Sequence, residues 1–315
     1  MKFTDVNPFN KKIQKDINKS VLRTINKKDF ILGENVRKFE RKFSKISNTK
    51  YAVGCATGTD ALLLSLKALN LKNKDEVIIP GMSYISTGLS VALNNNKIIF
   101  ADIDDDTGLI SLDSVKNKLS KNTKAIIPVN LYGQKVDIKK LRKIVGRSRY
   151  IIEDSAQAHF AFSCFDCRKS SSIKCCKKEM NHKYADLSCY SFYPSKNLGA
   201  YGDGGIVTTN NKNLFNKIYY LRNLGTIKKN VHQYEGLNSR LDTLQATILL
   251  EKVKFTHAHN DFRRKISSFY DKQLSSIKEV KLTSSKPGSS RHLYVIRIKK
   301  RNKLASFLLK NKVPI

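Results

Sequence analysis

Residues 51–100 read YAVGCATGTD ALLLSLKALN LKNKDEVIIP GMSYISTGLS VALNNNKIIF. Three short apolar runs, Tyr51-Ala52-Val53, Val77-Ile78-Ile79 and Ile98-Ile99-Phe100, alternate with two helical segments, Asp60 to Leu69 and Ile85 to Leu93. Runs this short, rich in β-branched residues and bounded by Gly or Pro, read as strands buried on both faces. Pro80 ends the second of them. The alternation continues through Ala125-Ile126-Ile127-Pro128-Val129 and Tyr150-Ile151-Ile152. It predicts an α/β protein whose sheet carries helices on both faces.

Upstream, helical periodicity runs through Ile13, Ile17, Val21, Leu22 and Ile25, breaks at Ile31-Leu32-Gly33, and resumes with Val36, Phe39 and Phe43. Downstream, one long helix is expected from Asn238 to about Lys265, bridging to a smaller domain. That domain holds a final strand, His292 to Ile298, and a closing helix. The expected division is a large domain over residues 1–250 and a small one over 251–315.

Composition narrows the function. No apolar run approaches the roughly 20 residues needed to span a bilayer, and the opening MKFTDVNPFNKKIQ has no apolar stretch behind its charges. A cytoplasmic protein without a membrane partner is expected. The net charge of +33 comes from 59 Lys+Arg against 26 Asp+Glu. These basic residues are spread along the chain among Asn and Ile, and no basic block interleaves with aromatics. They read as a solvated surface whose field helps attract a phosphorylated substrate, and no nucleic-acid partner is expected. Of the six cysteines, Cys55 and Cys189 read as small core residues. Cys164, Cys167, Cys175 and Cys176 crowd together. Four thiols are enough for zinc, but the adjacent second pair strains a tetrahedral site, so a reduced loop is the expectation.

In open α/β sheets ligands gather at the carboxyl ends of strands. The first such end, Ala56-Thr57-Gly58-Thr59-Asp60, is a phosphate seat at a helix start, or simply an N-cap. At the second, Tyr84 of Pro80-Gly81-Met82-Ser83-Tyr84 can stack on a flat heterocycle or be structural. The third, Tyr150-Ile151-Ile152-Glu153-Asp154-Ser155-Ala156-Gln157, runs a buried strand into a carboxylate. Asp154 suits a protonated ring nitrogen, with Gln157 one helical turn on for a ring substituent; the plainer reading is a helix cap. The fourth is Ser188 through Gly199, followed by Gly202-Asp203-Gly204-Gly205. There Lys196 follows a strand among small residues and glycines, a setting that can desolvate an amine for Schiff-base chemistry.

The strings Asp154-Ser155-Ala156-Gln157-Ala158-His159, Ser191-Phe192-Tyr193-Pro194-Ser195-Lys196-Asn197-Leu198-Gly199 and Gly202-Asp203-Gly204-Gly205 resemble the DegT–DnrJ–StrS family of sugar aminotransferases. So do Gly58-Thr59-Asp60-Ala61-Leu62, Leu131-Tyr132-Gly133-Gln134 and Asn238-Ser239-Arg240-Leu241-Asp242, in family order from about Phe3 to about Arg301. The resemblance implies an aspartate-aminotransferase-like fold, type I among pyridoxal phosphate enzymes, with a large mixed-sheet domain and a small C-terminal one. It implies that Lys196 holds pyridoxal phosphate and moves the proton. Asp154 would pair with the ring nitrogen, Tyr84 would stack, and Gln157 would reach the ring hydroxyl. Gly58, Thr59 and Ser191 would hold the phosphate, and Asn238 of a partner subunit would complete it in a homodimer. The implied substrates are glutamate and a nucleotide-linked 3-keto or 4-keto hexose. A cyclitol or aminobenzoate-type aminotransferase, or a binding protein that kept the fold, are the alternatives. Lys196 itself favours amino transfer over the dehydration that relatives with histidine at this position perform.

Two departures stand out. The segment between Phe160 and Tyr184, which holds the four crowded cysteines, is longer than the family pattern. The sequence stops at Val313-Pro314-Ile315, where family members continue, so an incomplete small domain is expected. Leu224 also stands where a histidine is common in the family.

Overall fold

The computed structural model describes residues 9, 11–162, 183–284 and 288–315. The four clustered cysteines lie outside the described residues. Two helices open the fold, α1 (Lys11–Lys27) and α2 (Glu34–Ile46). Then come β1 (Tyr51–Cys55), α3 (Gly58–Leu69), β2 (Glu76–Pro80), α4 (Ile85–Leu93), β3 (Lys97–Ala101) and α5 (Leu112–Lys118). The sheet continues with β4 (Thr123–Ile126), a 3-10 turn at Leu131–Gly133, α6 (Ile138–Val145), β5 (Tyr150–Asp154), β6 (Leu187–Ser191) and β7 (Gly205–Thr209). After these lie α7 (Lys212–Leu221), a small hairpin of β8 (Thr226–Lys228) and β9 (Val231–His232), and α8 (Thr243–Lys252). The chain ends with α9 (Thr256–Leu274), the short pair β10 (Lys281–Leu282) and β11 (Ile296–Arg297), and α10 (Arg301–Lys310).

Seven strands form one sheet in the order β1-β7-β6-β5-β4-β2-β3. Six strands run in one direction, and β7 alone runs against them, pairing antiparallel with both β6 and β1. The sheet is therefore mixed, as the family resemblance implied. Successive side chains point to opposite faces, and the burial follows. Val53, Cys55, Val77, Ile79, Cys189 and Val207 meet α3 and α7 in one cluster. Ala52, Tyr190 and Ile206 meet α2 and α8 in another, closed by Phe39, Phe43 and Phe192. Both Cys55 and Cys189 are buried free thiols, as expected.

Three boundaries differ from the sequence reading. β4 stops at Ile126 rather than Val129, because Pro128 has no N–H to continue the ladder. Only its carbonyl is used, accepting from Asp154 N at 2.9 Å. The long helix expected from Asn238 begins instead at Thr243 and is interrupted by a 3-10 turn at Val253–Phe255 before running on to Leu274. The expected strand from His292 to Ile298 shrinks to Ile296–Arg297, because the His292 amide bonds to Tyr132 O at 2.9 Å in a different part of the fold. Among the described residues no apolar side chain after Val253 is buried, and no helix is long and apolar enough to cross a membrane.

Candidate active site

The carboxyl ends of β1, β5 and β6 converge at one edge of the sheet. β5 and β6 are parallel neighbours, with Asp154 opposite Cys189. After β1 the chain turns into α3, where Thr57 caps the helix by accepting from Asp60 N at 2.9 Å. A Cβ on Gly58 would lie 2.6 Å from Ser191 Cβ. Only glycine lets the first turn of α3 pack against the end of β6 so closely. Gly58 and Ser191, far apart in sequence, are thus in contact. The amides of that first turn have no partner inside the helix and carry its positive end.

Asp154 is buried at the end of β5. Thr87 Oγ1 on α4 donates to its Oδ2 at 2.8 Å, and Ala156 N donates to its Oδ1 at 3.1 Å. Burial raises its pKa, against the pull of these two donors and of Lys196. Lys196, in the turn after β6, shows the converse. Burial lowers its pKa and Asp154 pulls it back up. A half-hidden amine and a hidden carboxylate are therefore each other's electrostatic partners.

Gln157 sits in turns rather than in a helix, a correction to the expected helical turn. Its Oε1 accepts from Tyr132 N at 2.7 Å, which leaves the Nε2 hydrogens as its remaining donors. Tyr84 stands at the N-terminus of α4 with 69% of its surface exposed. Two residues on, the Ser86 hydroxyl meets Thr59 Oγ1 at 2.7 Å, so the starts of α3 and α4 are adjacent. Asn238 is exposed, next to Ser239, whose hydroxyl donates to Asp60 Oδ2 at 2.7 Å and accepts from Ala56 N. Gly58 thus touches Ser191, and Asp154 and Lys196 face each other, at the carboxyl ends of the strands, while Tyr84 and Asn238 are exposed.

Sequence reasoning missed Thr87, the buried hydroxyl on Asp154. Its signal was a Ser-Thr pair inside an otherwise apolar helix directly after Tyr84. It also missed the environment of His159, which is fully buried against Tyr190 and Phe192 with pKa lowered to about 3 by burial and by Lys196. These groups fit pyridoxal phosphate. The donor set offers an amine, a carboxylate held for a cationic ring nitrogen, an amide donor, and a helix start tightened on a serine.

The DegT/DnrJ/EryC1/StrS aminotransferase family model matches residues 11–315. A UDP-2-acetamido-2-deoxy-3-oxo-D-glucuronate aminotransferase of Pseudomonas aeruginosa is 35% identical over 280 residues, covering 88% of this chain and 74% of the relative. A dTDP-3-amino-3,6-dideoxy-alpha-D-galactopyranose transaminase of Aneurinibacillus thermoaerophilus is 35% identical over 314 residues, covering 99% and 83%. The crystal structure of S. venezuelae DesV superposes with a TM-score of 0.90 at 29% identity, covering 100% of this chain and 82% of that one.

Proposed function

The chain belongs to the DegT/DnrJ/EryC1/StrS aminotransferase family, and from that premise we propose that Lys196 and Asp154 are its catalytic pair. It is an aminotransferase with pyridoxal phosphate as cofactor. Its substrates in this reading are glutamate as donor and a nucleotide-linked 3-keto or 4-keto hexose as acceptor, for amino-sugar synthesis in the cytoplasm. Two relatives named for nucleotide-linked sugars, each covering most of this chain, support that class.

When bound, pyridoxal phosphate supplies the electron sink for amino transfer. The chain's own residues do the rest. Asp154, kept in place by Thr87 and Ala156 N, holds a positive charge on the ring nitrogen. Lys196, whose pKa burial lowers, accepts and returns the proton at the substrate carbon. Gln157 offers its Nε2 hydrogens to the ring oxygen, because Tyr132 N already occupies its Oε1. Gly58, Thr59 and Ser191 would bind the phosphate at the start of α3, and Tyr84 would stack on the ring.

Asn238 of the partner subunit completes this site in a homodimer. The exposed row Ile85, Leu89 and Leu93 on α4, beside exposed Phe100, supports an interface on this side of the molecule. The same reading divides the chain at residue 250 into a large and a small domain.

The observation that carries the proposal is the placement of buried Asp154 at the end of β5 and of Lys196 in the turn after the adjacent parallel strand β6, where each shifts the other's pKa. Purified protein loaded with pyridoxal phosphate is expected to absorb in the visible and to aminate nucleotide keto-sugars at the expense of glutamate. Lys196→Ala should lose both while its far-ultraviolet circular dichroism is unchanged. Undiminished turnover in that variant would overturn the assignment.

A further inference from the structure

Behind Lys196 lies a buried polar chain that belongs to none of the roles above. The Asn197 side-chain amide donates to Asn260 Oδ1 on α9 at 2.8 Å and to Ser290 O at 2.7 Å. Its Oδ1 lies 3.0 Å from His292 Nδ1. Asn260 in turn donates to His159 O at 2.9 Å. With both Asn197 hydrogens committed to carbonyl oxygens, its Oδ1 must accept, so His292 Nδ1 carries the proton and Nε2 the lone pair. Asn260, Ser290 and His292 are all buried, so a hydrogen bond lost here leaves a polar group that water does not reach.

The segment Gly288–His292 also grips the other side of the site. Ser290 N and Ser289 Oγ donate to Gly133 O at 2.8 and 3.0 Å, and Ser290 Oγ donates to Gln157 O at 3.1 Å. A Cβ on Gly133, whose φ is +92°, would stand 2.5 Å from Ser290 Oγ. One five-residue strap therefore ties the neighbour of Lys196 to the turn that holds Gln157.

We propose that Asn197 is a positioning residue for the Lys196 amine, acting through the strap and the His292 ring that it holds in place. The proposal rests on Lys196 being the residue that takes the cofactor. The charged and titratable groups facing this pair are Asp154 from β5, His159 from the turn after it, His292 from the strap and Arg263 from α9. His292, with pKa lowered to about 3 by burial and by Lys196, Arg263 and His159, stays neutral wherever Lys196 titrates. Loosening the strap therefore acts on Lys196 by admitting water, which moves the amine back toward its ordinary, higher pKa.

The test is the rate at which cofactor-free protein captures pyridoxal phosphate covalently, trapped by borohydride and followed against pH. Asn197→Ala and His292→Phe should each raise the pH midpoint of capture by about one unit. His292→Asn, whose amide can replace the Nδ1 donor, should keep the wild-type midpoint. Unshifted midpoints in both disruptive variants would overturn the proposal, as would a shift in His292→Asn equal to that in His292→Phe. If Asn197→Ala fails to fold, His292→Phe, which removes a single hydrogen bond from Asn197, decides alone. Lys196→Ala separates the two levels. Capture that persists there sinks the Lys196 reading itself, whereas capture lost there with unshifted Asn197 and His292 variants sinks only this inference.

Discussion

At the residue scale, the site works by placing ionisable groups where water cannot moderate them. Among the described residues, Asp154 has two hydrogen-bond donors to its carboxylate, one of them the Thr87 hydroxyl. In the proposed role, replacing the acid by its neutral amide would remove the counter-charge for the ring nitrogen. Asp154→Asn is expected to lower kcat/KM by about 100–1000-fold, and Thr87→Val by roughly tenfold, in steady-state assays. A second buried charge lies outside the site. Lys252 is 4% exposed, lies over the rings of Phe9 and Tyr201, and has no carboxylate partner among the described residues. Burial lowers its pKa to about 8. Its folded value is below its unfolded one, so the folded protein binds fewer protons and stability rises with pH between about 8 and 10.5. Lys252→Met should stabilise the protein at pH 7 by ~2 kcal/mol, with the gain shrinking across that window in denaturant melts.

At the element scale, one buried ion pair joins three segments. Arg222, after α7, pairs with Glu40 on α2, and its Nη1 also donates to Gly54 O in β1 at 2.7 Å. Glu40 Oε1 accepts from Gly54 N at 2.8 Å. Breaking such a pair leaves a buried charge without compensation, whereas removing both charges need not. Arg222→Met should destabilise by about 3–5 kcal/mol in urea, and Arg222→Met with Glu40→Met should recover most of it. A double variant as unstable as the single one would show that packing, not charge, is what Arg222 supplies. Element boundaries themselves were partly legible. α4 fell on its expected residues, between Pro80 and Asn94, because apolar side chains recur along it at helical spacing. The break at Val253–Phe255 was not legible, because the helical pattern continues through it and only the 3-10 hydrogen bonding marks it.

At the scale of the whole molecule, the buried apolar core ends at Val253, and α9 exposes Phe262, Ile266, Phe269 and Tyr270. Local opening follows buried apolar contact, so amides of α9 and α10 should exchange with deuterium well before those of β5, β6 and β7. Equal protection would contradict a small domain held mainly by surface contacts and the strap. If the site is shared between subunits, Lys196→Ala and Asn238→Ala proteins, each impaired alone, should regain partial activity when mixed as hybrid dimers. No recovery would argue against Asn238 reaching across.

What the sequence determined by itself was what rests on neighbours along the chain: the strand-helix alternation, the glycine at the start of α3, and the acid and amine at two strand ends. These follow from local periodicity and turn chemistry, which act over a few residues. Only the tertiary structure decided that Thr87 holds Asp154, that Gly58 touches Ser191, and that His292 leaves its expected strand to serve Asn197. Each of those depends on which distant segments exclude water together. A buried hydrogen-bonding group takes the partner that the fold brings to it.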